Sequence, residues 1–147
     1  GFEPRAAPCS SGWAGKVFKL RLSAQEIRAV LERAVQNVVT RDVREKVGGM
    51  IQVSGLEFRW NEERPFGRRV EFLRIGGEEE PRGGRMFNVA VNGLLGEGGH
   101  RQDLLRDKQK EEVGALYEIV VSELQRRGSV ETPPAGRISR SGPAERF

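Results

Sequence analysis

Residues 16–39 hold the feature that leaves this chain least freedom. Lys16–Leu22 reads KVFKLRL, which puts Phe18, Leu20 and Leu22 on one face and Lys19 and Arg21 on the other. That two-residue period is the mark of a half-buried strand. Ser23 then opens Ser-Ala-Gln-Glu, a capping box in which the serine hydroxyl accepts from the Glu26 amide and the Glu26 carboxylate reaches back. The predicted helix spaces Ile27, Val30, Leu31, Ala34, Val35 and Val38 by threes and fours along one stripe. Arg28, Glu32, Arg33 and Gln36 fall on the opposite face. Such a unit belongs to a packed domain of mixed helix and strand.

The rest of the sequence continues that alternation. Thr40–Val47 is charged and reads as loop; after Gly48-Gly49 the run MIQV is extended, and Leu56, Phe58 and Trp60 alternate with Glu57 and Arg59 as a strand. A Pro-Phe-Gly turn leads to RVEFLRI, and RMFNVAV is the next strand. The Gly/Pro-rich segment between these two suggests a hairpin, with Glu78–Glu80 exposed in it. Asn92–Arg101 is glycine-rich and leads to a short helical turn at Asp103–Arg106. Residues 111–125 are predicted as a second amphipathic helix, with Val113, Leu116, Tyr117, Val120 and Leu124 on its buried side and Gly128 placed to end it. The predicted organisation is a flexible leader over residues 1–12, one domain over 13–138 and a disordered tail over 139–147.

Composition narrows the function classes. With 147 residues there is length for one domain with a real core. The balance of 25 Lys+Arg against 21 Asp+Glu leaves only +4, and most basic residues are interleaved with acids, as in Lys108-Gln109-Lys110-Glu111-Glu112. That is the pattern of a solvated surface, so no specific nucleic-acid partner is expected. No apolar run approaches a membrane span, and residues 1–12 do not read as a positively charged start followed by an apolar run, so no secretory signal is expected within this stretch. Cys9 is the only cysteine and has no partner for an internal disulfide.

Candidates for chemistry are few. His100 is the only imidazole, and no Asp/Glu spacing around it forms a ligand set, so a structural or exposed histidine is the reading it supports. There is no Gly-x-Ser-x-Gly elbow, and the paired carboxylates stand side by side as solvated charge. The glycine loop remains. Asn92, Gly93, Gly96, Gly98 and Gly99 follow a strand, where backbone N–H groups can approach an anion or a ring. It lacks the Gly-Lys-Ser/Thr ending of a P-loop and the spacing of a dinucleotide fingerprint, and glycine content alone favours a tight strand-to-helix connection.

The order of motifs adds a resemblance. The strand and capped helix, then GGMIQVSGLEFRW, ERPFGRRVEFLRIGG, FNVAVNGLLGEGGHR and finally PPAGRI together resemble the C-terminal domain of the 5′-nucleotidase / UDP-sugar hydrolase family, over about Trp13–Ile138. That family shows Q-V-S-G-L-x-F, an Arg/Pro/Gly turn before R-V, V-A-x-N-D-F-L-A-x-G-G-D-G-Y, and a closing G-R-I. The resemblance implies an α+β domain layered α/β/β/α. It implies N-terminal incompleteness, since the family's domain begins earlier with a Gly-Gly-x-Arg segment that makes substrate contacts. It also implies a role: this half grips the base and ribose of a nucleotide, commonly between two aromatic rings. A separate metallophosphatase domain, the implied partner, carries two metal ions and the catalytic groups. The family is typically extracytoplasmic or at the cell surface.

Carried over by position, the implied substrate-binding residues are Trp13, Asn92, Leu94, Gly98, Gly99 and His100. Trp13 stands where one stacking aromatic sits, and indole can stack on a base or bury against the first strand. Leu94 replaces the second stacking Phe, which would leave the sandwich one-sided. His100 replaces the Asp expected to accept from ribose hydroxyls, and Arg101 and Gln102 replace the Gly and aromatic that follow. The expectation is a nucleotide- or nucleoside-recognition domain with no cofactor or catalytic metal of its own. The alternative is a non-enzymatic interaction module that keeps the fold and has lost nucleotide binding.

Overall fold

The computed structural model describes residues 15–142. The first unit forms as its periodicity predicts: β1 covers Lys16–Ser23 and α1 covers Ala24–Val39. Glu26 N donates to Ser23 Oγ at 3.1 Å, and Ser23 N donates to Glu26 Oε2 at 2.8 Å, so both halves of the capping box are made. Beyond α1, residues 40–55 form no strand; the run MIQV is irregular, and its Met50, Ile51 and Val53 are partly buried against the core.

Two sheets follow. In one, β2 (Leu56–Trp60) pairs antiparallel with β3 (Val70–Ile75), and β3 turns back at Gly76-Gly77 into the two-residue β4 (Glu78–Glu79). Both turn glycines have positive φ, +57° and +84°, the pairing a two-residue type I′ hairpin demands. The expected hairpin between RVEFLRI and RMFNVAV is therefore not formed. Instead β5 (Met86–Asn92) crosses to the other sheet and pairs antiparallel with β1, Leu22 opposite Phe87 and Val17 opposite Asn92. The acidic run is not simply exposed either: Glu80 Oε1 accepts from Leu73 N at 2.9 Å, and its carboxylate also pairs with Arg28.

After β5 come α2 (Gly93–Gly96), a 3₁₀ turn over Gly99–Arg101 and α3 (Asp103–Asp107). The helix predicted over 111–125 is divided. Its first part is strand β6 (Lys110–Ala115), which pairs antiparallel with β1 and completes the order β5-β1-β6; helix α4 starts only at Leu116 and runs to Arg127. The free edge of β1 offers that segment hydrogen-bond partners. Gly114, about 1 kcal/mol worse than alanine inside a helix, weakens the competing state. A bulge leaves Val113 unmatched, since Val17 faces Gly114 and Phe18 faces Glu112.

The buried side expected for that helix is a second correction. Val113, Leu116, Tyr117, Val120 and Leu124 are all exposed, and α4 touches little beyond β6. At its far end Gly128 caps the helix with φ +75°, and the Arg126 and Arg127 guanidinium groups pull the Glu123 carboxyl down to about 2. Finally β7 (Ile138–Arg140) joins β2 in parallel, giving the order β4-β3-β2-β7. This strand includes residues 139 and 140, and just after it Ser141 N donates to Trp60 O at 2.8 Å. No helix among the described residues is long and apolar enough to cross a membrane.

One core joins the two sheets through α1, which packs on β1 of the first and on β3 of the second. It contains Leu20 and Leu22 from β1, Leu31 and Val35 from α1, Phe58 from β2, Leu73 from β3 and Leu105 from α3. Each such side chain contributes about 1.5–3 kcal/mol by leaving water. Glu32, expected on the solvent face of α1, is 5% exposed. Its Oε1 accepts from Val70 N at 2.7 Å and its Oε2 from Arg69 N at 3.1 Å, which satisfies the start of β3.

The cap of α1 gives a pH-dependent prediction. A hydrogen bond from Lys108, then one from the Ser23 amide, holds the Glu26 carboxyl below its ordinary 4.5, with burial opposing. A depressed carboxylate stabilises the fold above its unfolded pKa and loses that contribution as pH falls through the folded value. Urea denaturation is expected to show Ser23→Ala costing about 1 kcal/mol at pH 7. Glu26→Gln is expected to lose stability at pH 7 and to show a shallower loss than the parent below about pH 4.5. Equal pH slopes for parent and Glu26→Gln would refute the assignment.

Candidate functional site

The glycine loop begins where three strands of one sheet end or start together. Val17 is opposite Asn92, Lys16 is opposite Ala115, and Leu116 N donates to Gly15 O at 2.6 Å. The chain entering β1 therefore stands beside the chain leaving β5. Trp13 lies outside the described residues, four positions before Val17 in sequence.

From there the loop is built by short-range hydrogen bonds. Asn92 Oδ1 accepts from Leu95 N at 3.0 Å and so caps α2. Gly98 N donates to Leu95 O at 3.1 Å, and Gly98 takes φ +89°, a left-handed turn that a side chain would strain. Gly99 is required for a different reason. A Cβ there would come within 2.6 Å of both Leu94 Cγ and Leu94 O. Leu94, half-buried, thus lies over Gly99.

His100 and Arg101 then take positive φ of 56° and 59°, unusual for residues with side chains and a cost of order 1–3 kcal/mol each. Such a turn persists only when its surroundings over-determine it. Here Asn37 Nδ2 donates to His100 O at 2.7 Å, and Gln102 Nε2 donates to Val30 O at 3.0 Å. Asn37 and Gln102 are both buried, so each of these amides ties the loop to α1 from inside the protein. The His100 imidazole meets Gly48 across the loop, where a Cβ would approach Cε1 at 2.6 Å.

Of the sequence-predicted residues, Asn92, Leu94, Gly98, Gly99 and His100 are brought together in this one loop, whose entry adjoins the start of β1. The pinning residues Asn37 and Gln102 were not predicted in that role. Asn37 carried a signal, a polar residue three positions beyond Ala34 on the apolar stripe; Gln102 carried none beyond its departure from the family's aromatic. Among the described residues, no group of three or more His, Cys, Asp or Glu side chains is placed to hold a metal ion. His100 packs on a glycine rather than beside carboxylates, so the side chains of this loop do not fit a two-metal centre. They can offer backbone amides, an apolar side chain at Leu94 and a rigid turn.

Comparisons with known proteins bear on the family and the fold. No curated protein matches the sequence. Among solved structures, a 5′-nucleotidase precursor from Thermus thermophilus is 26% identical, with a TM-score of 0.68 over 86% of this chain and 25% of its own. The sulfate thiohydrolase SoxB of Thermus thermophilus, in complex with glycerol, is 24% identical with a TM-score of 0.70, over 91% of this chain and 24% of its own. An NAD nucleotidase of Haemophilus influenzae shares the fold at 16% identity and a TM-score of 0.67, over 87% of this chain and 25% of its own. The chain thus spans about a quarter of the length of these structures. The profile of the family described as "5′-nucleotidase, C-terminal domain" matches residues 11–107, well over half of the sequence, and the chain belongs to that family.

Proposed function

We propose that this chain is the nucleotide-recognition part of a 5′-nucleotidase-type hydrolase, acting in nucleotide breakdown beside a metallophosphatase domain that supplies the metal chemistry. The observation that carries the reading is the register of β1 against β5. Pairing Val17 with Asn92 sets the segment that follows Trp13 next to the loop holding Leu94, Gly98, Gly99 and His100. Family membership supports the same assignment. In this reading Trp13 stacks on the base, Leu94 adds apolar contact from the loop, and the Gly99 backbone amide meets a polar atom of the nucleotide. The pinned, strained turn at His100 favours binding because it needs no ordering when ligand arrives.

A second reading has an observation of its own. The apolar side chains on α4 are only partly covered by the described residues, as suits a chain whose main task is to pack against another domain. In that case the fold serves as an interaction module and the loop is only a tight connection.

Titration with AMP or UMP separates the two. Tryptophan fluorescence is expected to saturate with a Kd of about 1 mM or below. The signal should vanish in Trp13→Ala, which removes the contribution of Trp60 from the interpretation. Leu94→Phe, which supplies the second ring, is expected to tighten binding roughly tenfold. No saturable change up to about 10 mM nucleotide, or no effect of either substitution, would leave the interaction-module reading standing and overturn the first.

The purified chain is also expected to release no phosphate from AMP or UMP with added Mn²⁺, Zn²⁺ or Co²⁺. Robust metal-dependent turnover that survives repurification would place a catalytic centre in this half and reject the division of labour.

A further inference from the structure

A second recess lies along α1, away from the entry to the glycine loop. It is a cleft of about 390 Å³ whose walls include Arg28, Arg33, Phe66, Arg101, Gln102 and Asp103. Its charges are not equally available. Arg28 is committed: Nη1 donates to Val70 O at 2.7 Å, and the other arm pairs with Glu80. Glu32, also in the wall, has both carboxylate oxygens filled by the backbone N–H groups of Arg69 and Val70. Asp103 faces Arg106 at 3.3 Å.

Arg33 and Arg101 are different. Neither makes an ion pair with any of the described residues. The Arg33 guanidinium instead sits over the Phe66 ring at 5.1 Å from its centroid, and that ring is 52% exposed on the Pro-Phe-Gly turn. An aromatic ring half in water and bearing a stacked guanidinium presents both a π-face and a positive edge. Arg101 lines the same cleft. Its backbone is held between His100, whose carbonyl is bonded by Asn37, and the buried Gln102.

We propose that this cleft binds a small planar aromatic anion, its ring against Phe66 and the Arg33 guanidinium and its phosphate or carboxylate drawn by Arg33 and Arg101. The available cations outnumber the available anions in the wall, so a negative group entering the cleft meets net positive charge; the opposing charge outside the wall is Asp42, which is bonded to Arg44 and lies within electrostatic reach of Arg101. The exposed ring adds an apolar contact that an inorganic anion cannot use. The site shares Arg101 and Gln102 with the end of the glycine loop but none of Asn92, Leu94, Gly98 or Gly99.

The test is a ¹⁵N–¹H correlation titration of the full chain with phenyl phosphate. Inorganic phosphate, benzoate and benzyl alcohol form the comparison arms. Saturable shifts are expected at the amides of Phe66, Gly67, Arg101 and Gln102, with a Kd of about 1 mM that rises with salt. Benzoate binding as well as phenyl phosphate would identify the anion as interchangeable, and weaker benzoate binding would identify the dianion as preferred; either supports an aromatic-anion site. Arg33→Gln and Arg101→Gln are each expected to weaken binding by about tenfold while leaving the remaining spectrum in place. Phe66→Leu should weaken phenyl phosphate but not inorganic phosphate.

Several outcomes overturn the proposal. Inorganic phosphate binding as tightly as phenyl phosphate would remove the aromatic component, and benzyl alcohol binding as tightly would remove the ionic one. Shifts confined to Asn92–Gly99, or none by about 20 mM, would reject the cleft itself. The nucleotide reading is scored by Trp13 and Leu94, so the two succeed or fail separately.

Discussion

The carboxylate of Glu32 is the fastening on which the arrangement depends. It sits on the helix that joins the two sheets, and it accepts the N–H groups of Arg69 and Val70 at the point where β3 begins. Hydrogen bonds to a charged acceptor are worth about 1.5–3 kcal/mol, and losing the acceptor would leave donors without partners in a buried seam. Neighbouring contacts reinforce the same join: Arg28 reaches Val70 O, Gln36 meets the Arg69 side chain, and Glu80 secures Leu73 N. An apolar helix face could slide along an apolar sheet with little change in energy. These directional bonds set one register between α1 and β3.

That register positions the candidate site from behind. The α1 residues that hold the loop, Val30 through its carbonyl and Asn37 through its amide, lie on the same rigid rod as Glu32. One helix thus carries a polar clamp for the second sheet and two anchors for the loop that leaves the first. A turn with two side-chain-bearing residues at positive φ would otherwise relax toward ordinary backbone conformations. Its geometry is a tertiary property, imposed by a helix far away in sequence.

Distance along the chain also explains what could be read beforehand. β1, α1 and the cap between them were legible because every determinant is local: alternation, three-to-four spacing and Ser23 with Glu26. The candidate loop was legible through the position of Asn92 and its glycines. Its anchors were not, because they join residues 63 and 72 positions apart. The division of 111–125 into β6 and α4 followed from an open edge on β1, which residue periodicity does not reveal. The missed turn after β3 was a matter of turn chemistry: Gly76-Gly77 closes a two-residue hairpin onto β4, which frees β5 to join the other sheet. Amphipathicity showed that α4 has an apolar face. It did not show how much of that face the other described residues would cover, which is only part of it.

The substitution of Leu94 for the family's aromatic connects packing to recognition. Gly99 lacks the Cβ that would collide with Leu94, so the leucine folds down onto the loop instead of standing away from it. A branched aliphatic side chain fills that hollow and helps hold the turn at Gly98 closed. An aromatic ring at 94 would have to project past Gly99, where its face could meet a base. The loop therefore gains internal packing at the expense of display, and under the proposed nucleotide reading the principal stacking surface has to come from outside it. Under that reading, one-sided stacking would follow from how Leu94 packs on Gly99 as well as from which residue was exchanged.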